Sequence, residues 1–403
     1  MDRKHYTCAI FIDLMKAFDT VDHGILLDKL YVYGIRGLVH SWFKSYLTNR
    51  MQSTKVGDYI SDRMKCDTGV PQGSVLGPLL FLLYVNDIHK VSKLLKITLF
   101  ADDTNLLYSH RNLKTIENVV NSELSNLNEW LTINKLTLNA KKSKFVIFRP
   151  HQRRLPYSVC IKIFDNKTNA FVQLEQNTYI KYLGIFFDEN LSWKFHINLI
   201  SSKISRGVGI IAKLRHYVPR KILFSIYNSL ILPYISFGIS AWGQAAKRHL
   251  DKLLILQKRA VRLIYFFDRR KSAIPLFYSS NISPINVLFT ETIACLMYDV
   301  HAKRAPSNVC EMFSYVSEQH SYNTRASASK NLYIKHSRIN IQYKSFSRFG
   351  SRLWNNIPQT IRSIPKKSFK KKIKAHFLHH LNDNGYYLEA EKLIDVLPKM
   401  SSN

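Results

Sequence analysis

The stretch "KITLFADDTNLLYS", residues 96–109, constrains the fold more than any other part of the chain. Two apolar runs of strand character flank Ala101, Asp102 and Asp103, so the chain reverses there and the runs pair as a hairpin. The tip carries two adjacent carboxylates. Like charges side by side repel, and a turn does not need both. An Asp-Asp turn is ordinary in isolation. Here it sits in a chain with 59 Lys plus Arg against 28 Asp plus Glu, a formal net charge of +31. A divalent metal ion would offset the repulsion and use both side chains as ligands.

A second strand ends on a carboxylate. "TCAIFI", residues 7–12, reads as a buried strand that runs directly into Asp13. Two metals about 4 Å apart need a further carboxylate from elsewhere in the chain, and a rigid strand end can aim one. Asp13, Asp102 and Asp103 are therefore the candidate ligands.

The elements around them alternate. "HGILLDKLYVYGIRGLVHSWFKSYL" gives two helical stretches split near Gly34 and Gly37, and "MQSTKV" and "RMKCD" read as short strands. "GVPQGSVLGPLLFLLYVNDIHKV" is a loop running into an apolar helix. "LKTIENVVNSELSNLNEWLTINKL" has the spacing of an amphipathic helix, and "SKFVIF" is another strand. Through residue 150 this is an α/β or α+β pattern. Residues 157–187 read as a hairpin followed by one strand, "YIKYLGIFFD". From Trp193 onward the chain reads as a helical bundle, and after residue 270 as a less regular region ending in "KKSFKKKIK".

The charge imbalance points to a polyanionic partner, nucleic acid or an anionic membrane surface. Five scattered cysteines with no CxxC pair fit a reducing, intracellular compartment and no disulfide framework. Cys295, His301, Cys310 and His320 match no compact zinc knuckle. Residues 222–246 carry no charge and are long enough to span a bilayer. Asn228, Pro233, Gln244 and several serines favour a buried helix of a soluble domain instead.

Three segments occur in a telling order: "FIDLMKAFDTVDH" at 11–23, "GVPQGSVLGPLLFLLYVND" at 69–87 and "FADD" at 100–103. Together they resemble the palm motifs of reverse transcriptases, specifically those of non-LTR retrotransposons of the LINE and jockey type. "KLTLNAKKSKFVIF" at 135–148 is similar to the family's next motif, and "YIKYLGIFFDENLSWKFHI" at 179–197 to the one that grips the primer. "SYNTRASASK" and "FGSRLWNNIPQTIRS" look like tail segments of the same group.

The resemblance implies an α+β fold. It consists of a right-hand polymerase palm (an antiparallel sheet with helices), a helical thumb and a C-terminal tail. The segments are 1–150 for the palm, 151–192 for the primer-grip region, 193–268 for the thumb and 269–403 for the basic C-terminal region. It implies an RNA-directed DNA polymerase acting on an RNA template, a DNA primer and dNTPs, with no membrane partner. Two Mg²⁺, replaceable by Mn²⁺, would be held by Asp13, Asp102 and Asp103. Lys142 matches a lysine that protonates the departing pyrophosphate, with Lys141 and Lys144 as near neighbours. Phe18 matches the aromatic gate against the ribose 2′-hydroxyl. Gln72 and Gly73 match the loop beside the templating base and incoming nucleotide, and Tyr182, Leu183 and Gly184 match the primer grip. Lys203, Arg206, Lys213 and Arg215 would follow the duplex backbone from the thumb, while His196 carries no assigned chemistry.

Family members carry a fingers region upstream of the first aspartate, which here is only twelve residues from Met1. The chain therefore reads as palm, thumb and tail of a longer protein whose other parts would be supplied in trans. The alternative to an active polymerase is a nucleic-acid-binding remnant that keeps the fold and the charge.

Overall fold

In chain order the first elements are β1 (Tyr6–Ile12), α1 (His23–Val32), α2 (Gly37–Leu47) and four two-residue strands, β2 (Met51–Gln52), β3 (Lys55–Val56), β4 (Tyr59–Ile60) and β5 (Met64–Lys65). Then come α3 (Leu76–Val85), β6 (Lys96–Phe100), β7 (Asp103–His110), α4 (Leu113–Ile133), β8 (Lys144–Phe148), β9 (Lys162–Asp165), β10 (Ala170–Gln173) and β11 (Glu175–Gln176). The structure is a computed structural model that describes residues 4–166, 168–319, 322, 330–336 and 344–400. These fall into two compact units that divide between Ile180 and Lys181.

The first unit is built on a five-stranded sheet of order β11-β8-β1-β7-β6. It is antiparallel except where β11 adds to β8 in parallel. Strand β1 lies in the middle, hydrogen-bonded on both edges, and its Cys8, Ala9 and Ile10 are fully buried. That explains a strand written as an unbroken apolar run. Helix α4 lays Leu113, Ile116, Val120, Leu124, Leu127 and Leu131 into the core, three or four residues apart on one face. Asn112 caps it by accepting from the Lys114 N–H. Helix α3 buries Leu80, Phe81, Tyr84 and Val85, and the Tyr84 hydroxyl donates to the Asn134 carbonyl at 2.7 Å.

The second unit holds β13 (Ile185–Asp188), α5 (Lys194–Leu214), α6 (Arg220–Leu230), α7 (Leu232–Ser236), α8 (Ile239–Trp242), α9 (Lys247–Tyr265), α10 (Ile274–Ser279) and α11 (Ile285–His301). Later helices span Phe346–Asn356, Gln359–Arg362, Lys366–Asn384 and Ala390–Ile394. One hydrophobic core joins them, running from Ile204 and Trp242 through Leu253 and Ile293 to Trp354, Phe369 and Phe377.

Taken together, the chain is an α+β protein, with the sheet in the first unit and the helices prevailing in the second. Three expectations are corrected. "YIKYLGIFFD" is not one strand: β12 (Tyr179–Tyr182) pairs with β13 as a hairpin that turns at Leu183 and Gly184, φ 46° and 82°. The uncharged segment is not one helix. It breaks into α6, α7 and α8, at Pro233, which removes a backbone donor, and at Gly238, φ 60°. Among the described residues no helix is long and apolar enough to cross a membrane. The region after residue 270 is more regular than its prolines suggest, because Pro284, Pro358 and Pro365 each stand at a helix start rather than inside one.

Candidate active site at one end of the sheet

The pairing of β1 decides what meets what. Its register against β7 runs from Tyr6↔His110 to Ile12↔Thr104, so the next residue, Asp13, emerges opposite Asp103. On its other edge β1 pairs with β8 from Thr7↔Phe148 to Phe11↔Lys144, which aims Asp13 toward the segment just before β8. Residues 90 and 129 positions away in sequence are thus brought to one strand end by backbone hydrogen bonds alone.

The hairpin tip is tighter than expected. Phe100 pairs with Asp103, leaving Ala101 and Asp102 as the turn and Asp103 as the first residue of β7. Ala101 is left-handed, φ 53°, a conformation that costs a residue with a Cβ on the order of 1 kcal/mol. Asp102 and Asp103 are exposed and Asp13 is half-buried. Burial pushes the Asp103 carboxyl above the usual carboxylate range, and the charges of Asp102 and Asp13 push it further. Asp103 therefore senses the charges of the other two.

Lys142 is beside Asp13. Its Nζ lies 3.8 Å from Asp13 Oδ2. The same oxygen accepts from Asn139 Nδ2 at 3.0 Å. The Asn139 N–H donates to the Asp13 carbonyl at 2.8 Å, and the Asp13 N–H donates to Ser143 Oγ at 3.2 Å. Asn139 and Ser143 escaped the sequence reading; the polar run "LNAKKS" marks a turn, while the contact with Asp13 follows only from the register.

Phe18 and the "PQGS" loop form a second cluster. The loop docks onto the segment after β1: Val70 N–H donates to the Phe18 carbonyl and Gly69 N–H to the Val21 carbonyl, both at 2.8 Å. Gly69 is required there, since a Cβ would lie 2.9 Å from the Asp19 carbonyl oxygen and φ is +84°. Gln72 Nε2 donates to Asp19 Oδ1 at 2.8 Å. Gly73, φ +80°, has open space where its Cβ would be. Phe18 is half-buried against the core.

Tyr182, Leu183 and Gly184 stand at the β12–β13 turn. A Cβ on Gly184 would approach the Phe237 ring to 3.0 Å. On α5, Lys203, Arg206 and Lys213 are exposed, while the Arg215 guanidinium stacks 4.2 Å from the Phe266 ring centroid. His196 is buried against Trp242, and burial with the nearby Lys203 charge holds its pKa down at about 4, so it stays neutral. The cysteine–histidine set gathers no metal ligands: Cys310 Sγ faces the Ala305 carbonyl, His301 pairs with the Tyr315 hydroxyl, and His320 lies outside the described residues.

The donor set at the sheet end fits a hard divalent cation. It is all carboxylate oxygen, it carries mutual repulsion, and a cationic ammonium already stands at one of its oxygens. As the side chains stand, among the described residues no three carboxylate, histidine or cysteine groups converge on one point.

Residues 1–187 match the family described as reverse transcriptase (RNA-dependent DNA polymerase). The chain is 29% identical over 276 residues to the RNA-directed DNA polymerase from mobile element jockey of Drosophila melanogaster, covering 66% of this chain and 29% of that protein. It is 31% identical over 287 residues to the probable RNA-directed DNA polymerase from transposon BS of the same organism, covering 65% and 29%. The match thus spans under a third of the length of each of these two relatives. Telomerase from Candida albicans, solved with a TWJ fragment of telomeric RNA, is 12% identical at a TM-score of 0.38, covering 76% of this chain and 48% of that one. Residues 1–187 thus match the reverse transcriptase family, and the relatives that the chain resembles are RNA-directed DNA polymerases of jockey-like mobile elements.

Proposed function

We propose that this chain carries the polymerising centre of a retrotransposon RNA-directed DNA polymerase, extending a DNA primer along an RNA template with dNTPs. The observation that carries the reading is the convergence of Asp13, Asp103 and Lys142 on one sheet end, fixed by the two registers of β1. In the reaction the primer 3′-oxygen forms a bond to the α-phosphorus of the dNTP. The bond from that phosphorus to the pyrophosphate oxygen breaks, and the pyrophosphate leaves. Asp13, Asp102 and Asp103 would hold two Mg²⁺, with Mn²⁺ able to replace them, and when bound these ions supply charge stabilisation to both oxygens. Lys142 is placed to give a proton to the leaving pyrophosphate. Phe18 bounds the sugar side, the Gln72–Gly73 loop bounds the base side, and Tyr182, Leu183 and Gly184 hold the primer. Residues 1–150 act as the palm, 151–192 as the primer-grip region and 193–268 as the thumb, followed by the basic C-terminal region.

The experiment is primer extension by the purified chain on an RNA template with an annealed DNA primer and Mg²⁺ or Mn²⁺, beside Asp102→Asn, Asp103→Asn. Extension by the first and not the second supports the reading. Salt-sensitive duplex binding without extension would leave the other reading, a polymerase-derived protein that holds nucleic acid only.

A further inference from the structure

Asp13 is held more firmly than a strand-end carboxylate needs to be. Its carboxylate plane turns about a broad, soft torsion. Both of its side-chain contacts fall on Oδ2, from Asn139 Nδ2 at 3.0 Å and from Lys142 Nζ at 3.8 Å, and among the described residues Oδ1 is left clear. The backbone is pinned as well. Asn139 N–H donates to the Asp13 carbonyl, and Asp13 N–H donates to Ser143 Oγ.

Asn139 also folds the loop that carries Lys142. Its carbonyl accepts from Lys142 N–H at 3.2 Å and from Ser143 N–H at 3.0 Å. It accepts a third bond from the Ser143 hydroxyl at 2.9 Å. One side chain therefore fixes the carboxylate while the same residue's backbone sets where the lysine emerges. Just before this loop the chain is tied back again, by the Leu14↔Leu138 bridge and the Met15 N–H to Thr137 carbonyl bond.

We propose that Asn139 is a positioning residue: its side-chain amide locks the Asp13 carboxylate with Oδ1 presented for a divalent cation, while its backbone carbonyl sets where Lys142 emerges. The inference rests on the polymerase reading. A carboxylate fixed in advance gives up no rotamer freedom when the cation arrives, which is how partners outside the ligand set tune affinity. The Asn139 amide is suited to this because it donates to the carboxylate without adding charge.

The test measures Mn²⁺ bound by the full chain, read from the electron paramagnetic resonance of free Mn²⁺, beside primer extension as a function of Mg²⁺ concentration. Asn139→Ala should weaken Mn²⁺ binding by about 10–100-fold, with a parallel rise in the Mg²⁺ needed for half-maximal extension. Duplex binding should stay within about twofold, because Asn139 touches carboxylate and loop rather than an exposed basic face. Asn139→Ser, which keeps a short donor, guards against misfolding of the first variant and should fall between it and the wild type. Wild-type Mn²⁺ affinity in both variants would overturn the proposal. Extension with an unchanged Mg²⁺ requirement in Asn139→Ala would overturn it too, while leaving the polymerase reading intact. Asn139-dependent Mn²⁺ binding in a wild-type chain that extends no primer would uphold it and sink the polymerase reading instead.

Discussion

The ring of Phe18 lies 4.7 Å from that of Phe81, tilted by 37°, so the core side of Phe18 is braced by a fully buried phenylalanine of α3. If Phe18 is the gate against a ribose 2′-hydroxyl, this bracing keeps the ring from retreating. Phe18→Val should therefore raise ribonucleotide incorporation relative to deoxynucleotide on the order of tenfold, about 1.4 kcal/mol of discrimination. Competing rNTP and dNTP in single-nucleotide extension measures it. Unchanged sugar preference would remove the role and leave Phe18 as core.

Asp103→Asn should abolish extension, by at least about 10²–10³-fold, while binding duplex as well as or better than the wild type. The better binding follows from removing a negative charge beside a polyanion. Loss of duplex binding together with activity would mean that the substitution damages the fold and says nothing about the centre.

Glu291 gives the second unit a pH dependence. It is buried, accepts from the Ser283 hydroxyl at 2.7 Å, and burial raises its pKa from the ordinary 4.5 to about 7 despite the opposing charges of Lys374 and Lys370. The folded state thus binds a proton that the unfolded state has already lost between those values. Stability from this group is full below about pH 4.5 and declines as pH rises through 7. The total amounts to about 3 kcal/mol. Glu291→Gln should be less sensitive to pH and melt above the wild type at pH 8. Parallel melting curves for the two proteins from pH 5 to pH 8 would refute it.

Neutralising Lys203, Arg206 and Lys213 together should weaken duplex binding for every sequence alike and lower the slope of log affinity against log salt by up to about 2.7. Fluorescence anisotropy across a salt series reads the slope. An unaltered slope would place the backbone contacts elsewhere.

The sequence announces the sheet end more clearly than the rest. "TCAIFI" before Asp13 has the apolar character of a buried strand and forms one, while of the paired runs around Asp102 the second is buried in part and the first has no buried residue. Backbone conformation at single residues is less legible. Leu183 has nothing in its chemistry to favour φ 46°, yet it turns the chain before Gly184. Pro233 breaks a run whose lack of charge reads as one long helix, since composition speaks to burial and not to continuity. Asn139 was passed over for a different reason: a side-chain hydrogen bond across 126 residues exists only once the register of two strands is known.

Strand β1 is laced along both edges, and that has a consequence for motion. Its amides can exchange with solvent only when the sheet itself opens, so they should be among the slowest in the molecule. Asp13 is anchored to that immobile core, whereas Asp102 and Lys142 sit in the two-residue turn and the loop to either side. Asp13 can therefore shift only with the sheet, whereas Asp102, in the hairpin turn, can move without it.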